Sequence, residues 1–226
     1  MNEVLCLQDV TYKYNNKKLG NANRMIVDSV SADFERGKLY AVMGRSGSGK
    51  TTLLSLMAGL DIPKGGDILF EGNSLKKIDR NHYRSHNIGM VFQQFNLLPL
   101  YNAIENVQVS LELCGYPMGK SKQRAIDLLI RVGLSDDLLH RSILRRSGGE
   151  QQRVAIARAL SSDPSLILCD EPTGNLDSQT GDDVMDLLQR LAHEDDKCVI
   201  VVTHATAIGE MADDVFVMRD GKLLHK

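Results

Sequence analysis

The sequence predicts an α/β fold: a mostly parallel sheet between helices, entered through an antiparallel β region and interrupted once by an inserted block of helices. Three observations predict it. A glycine-rich loop, Gly44-Arg45-Ser46-Gly47-Ser48-Gly49-Lys50-Thr51, follows an apolar run at 39–43 and precedes a helical repeat. Short apolar runs recur at 88–92, 166–169, 198–202 and 215–218, as strands buried on both faces do. Between the first two of these runs the pattern turns helical, so the alternation of strand and helix is broken at 94–161. With 226 residues, 42 % hydrophobic and 25 % charged, the chain suits one domain. Its core is expected at 1–93 and 162–226, with the helical subdomain at 94–161.

Residues 4–14 read as the first strand, with Val10, Tyr12 and Tyr14 on one face by two-residue alternation. A polar turn at 15–21 follows, and 25–34 returns antiparallel. After the glycine-rich loop, Leu53, Leu56, Met57 and Leu60 recur at the spacing of one helical face. Gly65-Gly66-Asp67 precedes a short strand at 68–70. Helix is expected from Ala103, and again at 120–132 with Ile126, Leu129 and Ile130 on one face and Gly133 as the stop. Another helix opens after Ser147-Gly148-Gly149. Val184, Leu187, Leu188 and Leu191 mark one more, ahead of the strand at 198–202.

The loop at 44–51 fits the phosphate-cradling pattern Gly-x-x-x-x-Gly-Lys-Ser/Thr in its required context, strand before and helix after. Unpaired amides and roughly half a positive charge from the helix dipole converge there. Lys50 supplies a cation for terminal phosphates, the Thr51 hydroxyl suits Mg²⁺, and Thr52 continues the turn.

The run at 166–169 ends in Asp170-Glu171. A parallel strand delivers both carboxylates to the ligand-binding edge of the sheet. Asp170 there holds Mg²⁺ through water, and Glu171 polarises an attacking water. Ser147-Gly148-Gly149-Glu150 opens a further helix, a second anion site or a plain helix cap. Two phosphate sites in one chain suggest that they meet on one nucleotide when two chains pair head to tail with two-fold symmetry.

Bulk composition narrows the class. A formal charge of −2 gives no basic surface for nucleic acid as main partner. Cys6, Cys114, Cys169 and Cys198 show no metal or redox spacing and read as buried hydrophobes of a reducing compartment. The first residues lack the basic and apolar regions of a secretory leader, and no segment approaches the ~20 apolar residues of a membrane span. The expectation is a cytosolic protein whose membrane contact comes through a partner. Asn-Lys-x-Asp, the guanine-recognition pattern, is absent, which argues against a GTPase, and a small-molecule kinase leaves Ser147-Gly148-Gly149 unexplained.

Loop 44–51, Gln93 after a strand, Ser147-Gly148-Gly149, Asp170-Glu171, Asn175-Leu176-Asp177 and His204 occur in an order and spacing that resembles the ATPase subunits of ABC transporters. The resemblance spans nearly the whole chain. The stretches 92–99 and 170–177 look most like the branch of LolD, MacB and FtsE types. It implies a P-loop NTPase (RecA-like) core, ATP and Mg²⁺ as ligands, and a homodimer formed on ATP binding. It also implies integral-membrane permease subunits as partners, on the inner face of the cell membrane. Gln93 would touch Mg²⁺ or its water and couple the site to the permease. Catalysis would involve Glu171, Lys50 and His204, with His204 reaching the γ-phosphate. Tyr14 would stack on adenine, with Tyr12 or plain strand packing as alternatives. Asp177 would face the opposite protomer, or cap the helix from Ser178. An alternative function within the resemblance is a signalling clamp on a membrane partner without transport. The family's signature usually begins with leucine and ends with glutamine. Arg146 and Glu150 stand there instead; glutamate at the last position occurs among relatives, whereas the arginine replaces an apolar anchor and bears on how firmly that helix docks.

Overall fold

The computed structural model describes residues 2–14 and 25–226; the polar turn expected at 15–21 lies outside them. The elements run β1 (Glu3–Tyr12), β2 (Val27–Glu35), β3 (Leu39–Met43), α1 (Lys50–Met57), β4 (Gly65–Phe70) and β5 (Asn73–Ser74). A short α2 (Arg80–His82) passes into a π-helical turn (Tyr83–Asn87) and then β6 (Ile88–Phe92). Three helices follow: α3 (Ala103–Leu113), α4 (Met118–Arg131) and α5 (Gly148–Ala159). The chain ends with β7 (Leu166–Asp170), α6 (Ser178–His193), β8 (Cys198–Thr203), α7 (Thr206–Met211), β9 (Asp214–Arg219) and β10 (Lys222–His225).

Six strands form the main sheet in the order β10-β9-β3-β8-β7-β6, parallel from β9 to β6, with β10 antiparallel at one edge. A second, antiparallel sheet has the order β2-β1-β4-β5. Side-chain alternation divides the core between the faces of the main sheet. Leu39, Ala41, Ile167, Cys169, Val199 and Val201 point to the side of α3, α4, α5 and α6. Tyr40, Val42, Leu166, Leu168, Ile200 and Val202 point to α1 and the antiparallel sheet. Strands buried on both faces carry unbroken apolar runs, so they are readable in the sequence.

Several expectations need correcting. The first strand ends at Tyr12 and Tyr14 lies past it, although the two rings still meet edge to face at 5.1 Å. Pairing with β2 shifts register between Leu7 and Val10 and again before Tyr12, with Asp9 at φ 48. Tyr12 is buried at 4 % exposure, while Tyr14, past the end of the strand, stands 54 % exposed. Leu60 is not on the buried face of α1, because the helix stops at Met57 and Gly59 turns the chain at φ 63. Gly65 and Gly66 lie inside β4 rather than before it. On α4 the buried side is Ala125, Leu128 and Leu129, whereas Ile130 is exposed and Ile126 only partly covered. Cys6, Cys169 and Cys198 are buried as expected, and Cys114 is half-buried. Among the described residues no helix is long and apolar enough to cross a membrane.

Candidate nucleotide site

Four parallel strands end side by side and each hands one functional segment to the same edge. Met43 of β3 pairs Thr203 of β8, Val202 pairs Asp170, and Asp170 pairs Phe92 of β6. The next residues along these strands are Gly44, His204, Glu171 and Gln93. They open onto a cavity of about 720 Å³ lined by Tyr14, Ile26, Arg45, Ser46, Gly47, Gly49, Lys50, Thr51, Thr52, Gln93, Asp170, Glu171 and His204. Gly44 and Ser48 line a neighbouring cavity of about 460 Å³ that shares Arg45, Ser46 and Gly47 with it.

The loop's shape needs its glycines. Gly49 adopts φ 108, and a Cβ there would come within 2.4 Å of the Ile26 carbonyl. The first turn of α1 has no side-chain cap, so its amides stay available to a ligand. Lys50 is buried and its Nζ donates to the carbonyls of Gly44 at 2.8 Å and Arg45 at 3.2 Å, which keeps the cation folded over the loop. The buried Ser48 hydroxyl, which lines the neighbouring cavity, has no hydrogen-bond partner.

Burial raises the Asp170 carboxyl above its ordinary range and Glu171 adds to the rise, while Lys50 and the Thr51 hydroxyl work the other way. A half-buried carboxylate in this position favours a cation. The Thr51 hydroxyl, the Gln93 side-chain carbonyl and Asp170 are hard oxygen donors, the chemistry that Mg²⁺ takes. These residues fit the ion.

Glu171 leaves the sheet with φ 48, its N–H bonded to the Val202 carbonyl at 2.9 Å. Its carboxylate is held by its neighbours: Oε2 accepts from the Thr203 hydroxyl at 3.0 Å, and Oε1 lies 2.7 Å from His204 Nδ1. Gln93 reaches the segment after Glu171, its Nε2 donating to Asn175 Oδ1 at 3.3 Å and its main-chain carbonyl accepting from Asn175 Nδ2 at 2.8 Å.

Of the two candidate aromatics, Tyr12 is packed away with its hydroxyl on Asp61. Tyr14 lines the cavity, 3.3 Å from the Thr52 hydroxyl.

Ser147, Gly148, Gly149, Glu150 and Asp177 do not line this cavity. Ser147 caps α5 by accepting from the Glu150 N–H at 3.2 Å. A Cβ on Gly149 would come within 2.3 Å of Thr180 Cγ2, so the glycine lets α5 and α6 start against one another. Asp177 caps α6, accepting from the Thr180 N–H at 3.0 Å and hydroxyl at 2.7 Å, and the hydroxyl bond holds its carboxyl below the usual range. The capping reading of Asp177 is thus what one chain displays.

Sequence reasoning missed three residues. Thr203 is a fully buried β-branched residue at a strand end, indistinguishable in sequence from strand filler. Ile26 lies in the chain before β2 and reaches the cavity only through the fold. Arg158, on α5, donates to the carbonyls of Asn96 at 2.5 Å and Phe95 at 2.9 Å, in the loop after Gln93. Both acceptors have positive φ, 51 for Asn96 and 59 for Phe95.

Comparison with known proteins identifies the family. The family model described as ABC transporter matches residues 27–174. The ABC transporter ATP-binding protein YclH of Bacillus subtilis is 42 % identical over 210 residues, covering 93 % of this chain and 91 % of that protein. The macrolide export ATP-binding/permease protein MacB of Brucella melitensis is 41 % identical over 224 residues, covering 98 % of this chain but 34 % of MacB. Among solved structures, the dimeric post-hydrolysis state of the ATP-binding cassette MJ0796 bound to ADP and Pi superposes with TM-score 0.87. Its identity is 35 %, with 98 % of this chain and 97 % of that chain covered.

Proposed function

This chain belongs to the ABC transporter ATP-binding family, and from that membership we propose that it binds ATP with Mg²⁺, pairs with a second copy, and hydrolyses the nucleotide to drive a separate membrane permease. The observation that carries the proposal is the convergence of Lys50, Asp170, Glu171 and His204 on one cavity beside the amides of α1. When bound, Mg²⁺ would supply Lewis-acid polarisation of phosphate oxygens, held by Thr51, Asp170 and Gln93. Lys50 and the loop amides grip the phosphates. Tyr14 stacks on the base. Glu171, aimed by Thr203 and His204, takes the proton of the attacking water.

Ser147, Gly148, Gly149, Glu150 and Asp177 act on the nucleotide of the opposite copy. Their position outside the cavity of their own chain supports this assignment, as does the dimeric form of the relative MJ0796. Residues 94–161 serve as the helical subdomain, supported by the shared core of α3, α4 and α5. The likeness to MacB supports an export or extrusion system, with the chain cytoplasmic and peripheral on the inner membrane face. Phosphate release from ATP by the purified chain, and isolation of a permease bound to it, test the reading. A chain that binds no ATP contradicts it.

A further inference from the structure

The signature turn of α5 contains a charge pair. Arg146, just before the Ser147 cap, has a side chain with 0 % exposure, and Glu150 one turn on has 26 %. One arm of the guanidinium, Nη2, donates to the carbonyls of Leu138 and Arg141, the latter at 3.1 Å. Its Nε and Nη1 have no hydrogen-bond acceptor, and neither does the buried Glu150 Oε2 have a donor. Nη1 and Oε2 lie 3.9 Å apart. The geometry is therefore an ion pair without a hydrogen bond: the inward oxygen of Glu150 faces a buried cation whose other arm is anchored to the loop before the helix.

A carboxylate in the first turn is attracted by the same amides and dipole that attract a phosphate. An unrestrained Glu150 would compete with an incoming anion and repel it. We propose that Arg146 is a positioning residue that draws the Glu150 carboxylate inward and neutralises it, so that the start of α5 remains able to receive the phosphate of a second copy's nucleotide. This rests on the paired-site reading above.

A double-mutant cycle tests it in the Glu171→Gln background, reading by light scattering the ATP concentration that half-saturates pairing. Arg146→Leu is expected to raise that concentration by about tenfold or more with Glu150 present, but by less than about threefold in the E150Q background. A merely structural role for Arg146 predicts the same loss in both backgrounds, and that result overturns the proposal. Should Arg146→Leu fail to fold, Arg146→Lys decides. It keeps the charge but not the planar fork, so retained pairing supports the proposal and lost pairing overturns it. Failure of the parent chain to pair with ATP before any of these substitutions overturns the paired-site reading itself, and this inference with it.

Discussion

The Glu171 carboxylate and the His204 imidazole meet at 2.7 Å, between Oε1 and Nδ1. Glu171 follows β7 and His204 follows β8, so two neighbouring strand ends bring the pair together. The imidazole side chain is 68 % exposed and the carboxylate 16 %, and both line the cavity. Glu171→Gln is expected to lower turnover by about 10²–10⁴-fold while ATP binding persists. Phosphate-release kinetics and equilibrium nucleotide binding, measured on the same sample, check this. Undiminished hydrolysis by the variant would remove Glu171 from the role of base.

Thr203 holds the other oxygen of that carboxylate, at 3.0 Å. Thr203→Val keeps the volume and deletes the donor. Loss of one oriented hydrogen bond predicts a fall in turnover of about tenfold with unchanged ATP affinity. The same hydroxyl accepts from the Ala205 N–H at 3.0 Å, so a modest drop in Tm accompanies it. A variant with unchanged turnover would show that Glu171 needs no aiming from β8.

Asp170 is raised by burial, so its ionisation opposes folding of the nucleotide-free chain. The sign follows from linkage. Below the unfolded value of about 3.9 both states are protonated and nothing is lost; as pH rises through the raised folded value, the penalty accumulates. Asp170→Asn should therefore raise Tm at neutral pH by about 2–4 °C, for a gain on the order of 1 kcal/mol, and the gain should vanish near the unfolded pKa. ATP hydrolysis should fall. Melting curves across pH, without nucleotide, measure it; a destabilised variant at neutral pH contradicts the account.

Arg158 on α5 fastens the loop after Gln93 by two carbonyls, and burial holds its guanidinium below its ordinary pKa. Arg158→Met keeps most of the stem and strands both acceptors, so a loss of about 2–4 kcal/mol is expected in denaturant unfolding. A change under about 0.5 kcal/mol, the scale of ordinary surface substitutions, would show that the loop holds its shape alone.

How much of this was legible depends on how local each cause is. The parallel strands were readable because burial on both faces leaves apolar runs such as those of β7 and β8. The loop at 44–51, Asp170, Glu171 and His204 were readable because strand ends deliver them and short spacing records it. Leu60 leaves the buried face because the turn at Gly59 ends the helical periodicity there, and Tyr14 is exposed because β1 stops at Tyr12. Thr203, Ile26 and Arg158 matter through contacts distant in sequence, and nothing in their neighbours announces them. The burial of Arg146 was hidden for the same reason: its partners Leu138 and Arg141 lie in a preceding segment of irregular chain.

The central claim is that one nucleotide is gripped by the loop at 44–51 of one copy and the start of α5 of another. A crystal structure of the Glu171→Gln chain with ATP and Mg²⁺ tests it most directly, through the distance from Ser147 Oγ to the γ-phosphate held by the other copy's Lys50. The account predicts hydrogen-bond contact, about 2.5–3.0 Å. Ser147 beyond reach of any phosphate in every assembly of that crystal would contradict it.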